Sequence, residues 1–350
     1  MRVFLAFIVA STIVFVGLLQ TRAAVSEGET PALMAAAAKN FVAALSTEQR
    51  AACVFALDAE QRLEFRTAPF PLTGLRQAEM RADQQELFHA LLSASLSAKG
   101  YEKGKGIIEL DDFLVETNLA RGGRANNMHG TDKYSLAIFG DPTPDGTWAW
   151  RIHGHHLAIS FTVSQGKLYV AAPSFFGAEP HVISEGPRAG LHILRNEDLI
   201  ARKLMESLNA ELRAKAIIAD EMPRDMFSGD KRQIEFDGPP EGIAFSALDA
   251  NQRKALRDLV EEYVSTVPPD VQWSRRDKVE KGGWENVYFA WIGATTPGER
   301  NYYRVQGPEF LIEYCAVALT PNHVHTIWRD RSGDFGRDLL AEHYNSIPHE

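Results

Sequence analysis

Eleven histidines stand in this 350-residue chain, and two groups of them have a spacing suited to chemistry. His323-Val-His325 lies in a stretch rich in β-branched and aromatic residues. On a strand such a pair puts both imidazoles on one side, about two residues' rise apart, which suits a shared metal. A carboxylate on the neighbouring strand, Glu313, would complete a two-histidine, one-carboxylate set of the kind that holds Fe(II) or Zn with positions left open. His153-Gly-His155-His156 supplies a second group. The competing reading is a wet sheet face, since antiparallel sheets commonly leave one face to solvent. Glu313, inside an apolar strand, is either a general acid or base with a raised pKa or the partner of a nearby arginine. Arg304, Arg151 and Arg329-Asp330-Arg331 are candidate anion clamps or structural ion pairs. Ser174 and Ser184 lack a nucleophile-elbow context, and Lys103-Gly-Lys-Gly106 and Arg121-Gly-Gly-Arg124 do not open a helix after a strand. Serine hydrolysis and phosphate-loop chemistry therefore have no support.

Alternation assigns these residues to faces. Ile312, Tyr314 and Ala316 point one way, and Glu313, Cys315 and Val317 the other. A hairpin through Thr320-Pro321-Asn322 that pairs Cys315 with His325 gathers Glu313, Cys315, His323 and His325 on one face. The same register puts Ile312, Tyr314, Val324 and Trp328 on the other, and a one-residue slip would break it. Leu157, Ile159, Phe161 and Val163 divide in the same way from His156, Ser160 and Thr162.

The chain also resembles itself. Tyr134–Phe161 matches Val287–Tyr314 without a gap, with Ala137, Gly140, Pro144, Arg151, Gly154 and Ile159 recurring as Ala290, Gly293, Pro297, Arg304, Gly307 and Ile312. The helical pattern ahead of each copy has Asp83, and Ser246 or Asp249, as candidate N-caps. Short turns between the strands imply antiparallel pairing. The expected fold class is α+β, as two pseudo-repeated units that are each an antiparallel sheet flanked by helices. The expected divisions are a signal peptide at 1–24, a helical lead-in at 25–75, a first unit at 76–220, a polar linker at 221–242 and a second unit at 243–350.

Composition narrows the class. The chain is 45% hydrophobic and 24% charged, as globular proteins are, and 37 Lys+Arg against 46 Asp+Glu leave a formal charge of −9. With no long basic run, nucleic acid is not an expected partner. Arg2, the apolar run Val3–Leu19 and the small residues Ala23 and Ala24 form an export-signal pattern. An uncleaved anchor is the competing reading. Cleavage removes Arg2 and Arg22 and no acid, leaving −11. No second apolar run approaches about 18 residues, so the exported body is expected to sit outside any membrane. Cys53 and Cys315 either pair in the oxidising compartment or stay as buried thiols.

Several motifs occur together in order. They are Trp148-Ala-Trp-Arg-Ile-His-Gly-His-His-Leu157, Pro173-Ser-Phe-Phe-Gly-Ala178, Gly186-Pro-Arg-Ala-Gly190, Tyr302-Tyr-Arg-Val-Gln-Gly-Pro308, Leu311-Ile-Glu-Tyr314, Asn322-His-Val-His325, Trp328-Arg-Asp330, Asp334-Phe-Gly336 and His343-Tyr344. With these the chain resembles the domain-of-unknown-function family numbered 3500 from about residue 35 to Tyr344. The resemblance brings no established activity. It implies that His155, His156, His323, His325 and His343 fall on the family's histidine positions, whereas His153 does not and His129 lies outside the motifs. The chain departs from the family at Cys315-Ala316, where Asp-Asn is usual, which puts metal identity or activity in doubt. The resulting expectation is a metal-dependent enzyme acting on a small molecule. His155, His156, His323 and His325 would hold a divalent transition metal (Fe, Zn or Cu), with Glu313 as a further ligand or catalytic group. Arg304 or Arg329 would hold an anionic group, and His343 would support a ligand. The alternatives are a non-catalytic exported binding protein for a carbohydrate or peptide, or a metallohydrolase lacking full competence.

Overall fold

Helical and strand periods alternate along the chain in a repeating order. The computed structural model describes residues 29–67, 73–120, 122, 129–235, 239–317 and 320–337, so the expected signal segment and His343 lie outside the described residues. The N-terminal elements are α1 (Thr30–Ala43), α2 (Thr47–Cys53), β1 (Val54–Phe55), β2 (Leu75–Arg76), α3 (Ala82–Ser95), α4 (Ala98–Ala120), β3 (Ser135–Phe139), β4 (Trp148–His153), β5 (Leu157–Ser164) and β6 (Lys167–Ala178). They are followed by α5 (Arg195–Ser207), α6 (Ala210–Ala216), β7 (Ile217–Ala219), β8 (Ile243–Ala244), α7 (Ala250–Val264), α8 (Pro269–Gly282), β9 (Tyr288–Gly293), β10 (Asn301–Gln306), β11 (Phe310–Ala316) and β12 (Val324–Asp330).

The fold is mixed α/β: eight helices and one twelve-stranded sheet among the described residues. The sheet runs β1-β3-β4-β5-β6-β12-β11-β10-β9-β7, with β2 beside β3 and β8 beside β9. This corrects the expectation of two separate antiparallel sheets in two ways. First, β6 and β12 pair antiparallel, Val324 to Trp328 against Ala178 to Ser174, so each covers the other's open edge. Second, the outer pairs β1–β3 and β7–β9 are parallel, each reached through a helix. Short strands flank each long set: β1 and β2 border β3, and β7 and β8, which bracket the segment 221–242, border β9.

Local chemistry explains the elements. Asp249 caps α7, accepting from the amides of Asn251 and Gln252, while Asp83 sits inside the first turn of α3 rather than at its cap. Gln165 and Gly166 both take left-handed backbone angles, as the tight β5–β6 turn requires. The register of β11 on β12 is the one alternation selects, with Cys315 opposite His325 and Ile312 opposite Trp328. Trp150, Trp291 and Trp328 belong to the main core, packed between the sheet and the helices. The other face is not left to water. Phe65, Phe175, Met226, Ile292, Tyr302, Cys315, Ile327 and Phe335 form a second cluster beneath irregular segments. Cys53 and Cys315 are both free and buried in these different clusters, which settles the question of their pairing.

Candidate metal centre

The central strands β6 and β12 bring the two histidine groups to one end of the sheet. His155 and His156 occupy the turn between β4 and β5, and His323 and His325 open β12. Gly177, opposite His325 in the ladder, makes the meeting possible: a Cβ there would lie 2.5 Å from Cδ2 of His156. The His156 carbonyl accepts from the Gly177 amide at 2.7 Å, which fixes the turn against β6.

Nε2 of His156 lies 2.9 Å from Nε2 of His323, and Nε2 of His323 lies 3.1 Å from Nε2 of His325. His155, His156, Glu179 and His323 each bring a ligand atom within 4.8 Å of all the others. The Nδ1 atoms face carboxylates instead. His155 meets Asp111 of α4 at 2.9 Å, His325 meets Asp225 at 2.9 Å, and His323 lies 3.5 Å from Glu179. A carboxylate on Nδ1 draws the ring proton there and leaves Nε2 as a lone pair. At His323, contacted on Nε2 from both sides, one hydrogen satisfies at most one neighbour. A cation among the Nε2 atoms satisfies all of them. Tetrahedral ligands at zinc–nitrogen distances of about 2.0–2.1 Å stand about 3.3 Å apart, close to the spacings found.

Electrostatics keep His156 and His323 in the neutral form that binds metal. Burial, with the neighbouring histidines adding to it, holds His156 well below the ordinary imidazole range and pushes His323 down to about 2. His129 stacks on His155 with ring centroids 4.0 Å apart, and burial, then His155, lowers it to about 4. The donors are imidazoles and one carboxylate, which suits zinc, copper or iron. Burial pushes the Cys315 thiol upward, away from the thiolate a metal would take.

The other expected site residues have partners elsewhere. Glu313 is fully buried and accepts from the amides of Phe227 and Ser228 and from the Tyr302 hydroxyl at 2.7, 3.0 and 2.9 Å. Arg329 donates to Asp334 and to the Lys231 carbonyl, both at 2.7 Å. Arg304 pairs with Glu241 at 2.8 Å, and Arg151 with backbone carbonyls of residues 61, 64 and 73. Sequence reading missed Asp111, Glu179, Asp225 and His129. Asp111 alone left a signal, as a carboxylate next to Ile107, Ile108 and Leu110 in the buried stripe of α4.

The family described as protein of unknown function (DUF3500) has a model that matches residues 27–337. No curated protein and no solved structure matches the chain.

Proposed function

We propose that the chain, which belongs to the DUF3500 family of proteins of unknown function, is an exported metal-dependent enzyme that acts on a small molecule at the histidine centre. The carrying observation is the convergence of the His156, His323 and His325 Nε2 atoms, each ring having its other nitrogen turned elsewhere. A second grouping, His155, His156, Glu179 and His323, shares two of these rings, with Glu179 on the Nδ1 side of His323. A bound ion of this kind acts as a Lewis acid on a ligand oxygen or a water. Access supports a small-molecule role. His155, His156 and His325 are buried, while the His323 and Glu179 side chains are 18% and 30% exposed, so the open side faces Glu179. Glu179 also lines a pocket of about 360 Å³ with a mixed wall of Phe113, Leu114, Val182 and Ile183 beside Thr117, Glu185 and Asn322, in the size range of small-ligand sites. Export rests on the N-terminal charge and apolar pattern. Among the described residues no helix is long and apolar enough to cross a membrane.

Elemental analysis of tag-free protein purified without chelator is expected to find about one iron, zinc or copper per chain, and none in a His323→Ala/His325→Ala variant. Metal absent from both, after attempted reconstitution, would sink the reading.

We also propose that the two strand sets descend from a duplicated unit. β3, β4 and β5 begin at 135, 148 and 157, and β9, β10 and β11 begin at 288, 301 and 310, an offset of 153 each time. Both sets carry a parallel and an antiparallel outer strand on their first long strand. In a crystal structure, residues 30–178 are expected to superpose on 195–330 with β3 on β9. A best fit that pairs other strands would refute common descent.

A further inference from the structure

The segment 223–231, expected to be a linker, crosses the sheet face opposite the helices. Its Met226 side chain packs with Cys315, Ile327 and Phe335, and its Asp230 accepts from the Thr67 amide at 2.7 Å. Fully buried charges hold it down. Glu313 takes the two consecutive amides of Phe227 and Ser228, and Arg329 donates to the carbonyls of Ser228, Gly229 and Lys231. Two residues before Phe227, Asp225 meets Nδ1 of His325 at 2.9 Å, its Oδ1 also accepting the Met226 amide at 2.7 Å.

We infer that this strap is part of the metal centre: Asp225 is a positioning residue that sets the tautomer and aim of His325, and Glu313 acts on the metal through Asp225 by fixing the strap. The inference rests on the metal reading above. It gives Glu313 a role without contact to substrate or ion, and it explains why a carboxylate is buried against backbone amides and a phenol rather than a cation. A carboxylate holds its Nδ1–H partner more strongly than a neutral acceptor does, and loss of such a support typically weakens metal binding by about 10–100-fold. Glutamine at 313 places an amide NH₂ where one of two amide donors now points, so the strap loses an anchor.

The test is titration of metal-depleted protein with Co(II), read by its visible absorption. Asp225→Ala is expected to weaken binding by about 10–100-fold and to alter the band shape, with partial recovery in Asp225→Glu. Glu313→Gln is expected to move affinity and spectrum in the same direction while far-UV circular dichroism stays native. Wild-type affinity and spectrum in folded Asp225→Ala would overturn the inference and leave the metal reading intact. A Glu313→Gln protein that loses thermal stability but binds and absorbs as wild type would remove Glu313 from it. Failure of the wild type to bind Co(II) would bring down the metal reading, and this inference with it.

Discussion

Lys103→Met is expected to lower the free energy of unfolding by about 3–5 kcal/mol at pH 8, because it strands the buried Glu197 carboxylate and takes one of two cations from Glu262. Lys103 projects from α4, its ammonium bonded to Glu197 of α5 and lying 3.2 Å from Glu262 of α7, with all three side chains at most 7% exposed. The two acids are not equivalent. Burial raises Glu197, against the pull of Lys103. Glu262 is buried too, but Lys103 together with Lys99, 2.7 Å away, brings it below the ordinary range. Without Lys103 the Glu197 carboxyl rises further. A carboxyl with a raised folded-state pKa keeps its contribution below the unfolded value and loses it as pH climbs through the folded value. The deficit is therefore expected to be largest at pH 8 and to shrink toward pH 5, and Glu197→Gln added to Lys103→Met should recover part of it. Urea unfolding of wild type and both variants at the two pH values measures this. A deficit under about 1 kcal/mol, or one equal at both pH values, would contradict the account.

What sequence reading reached and what it missed divide by range. Alternation placed Cys315 opposite His325 and sent Ile312 and Trp328 to the helix-covered face, because a strand's period is a local property. The His-x-His pair was legible for the same reason. Nothing local says that β6 and β12 share an edge, and that pairing carries His156 to His323 across 167 positions. Glu313 stood out as a charge inside an apolar strand and Arg329 as one at a strand end, and both are fully buried with polar partners. Whether the partner is a substrate or a backbone depends on what lies over the strand. The segment that lies there, 223–231, is polar and without period, so it reads as a linker. Asp225 is invisible for that reason, and Glu179 because a carboxylate before Pro180 looks like any turn residue.

Acidification is the second large lever. In the metal-free protein, the free energy of unfolding is expected to fall by several kcal/mol between pH 7 and pH 5. Burial, and then Arg151, holds His153 at about 3, while burial and His192 hold His181 at about 3. His323 lies at about 2, and His156 is displaced in the same direction. An imidazole with a depressed folded-state pKa contributes its full stability above the unfolded value near 6.5, and loses it as pH falls below that, because only the unfolded chain then takes the proton. Each such histidine therefore costs about 2 kcal/mol over this interval. Buried acids work the other way. Burial raises Glu197 and Glu179, and it lifts Asp334 to about 6 despite its bond to Arg329, where the folded state gains a proton and recovers about 1 kcal/mol. The displaced histidines outnumber these acids, and the net slope stays destabilising. Urea midpoints of chelator-treated protein at pH 7 and pH 5, with far-UV circular dichroism as the probe, decide the matter. Equal or greater stability at pH 5 would mean that these rings protonate within the fold. His181→Phe should reduce the pH-dependent loss by about the share of one histidine, since a ring that cannot titrate leaves the unfolded chain one proton short.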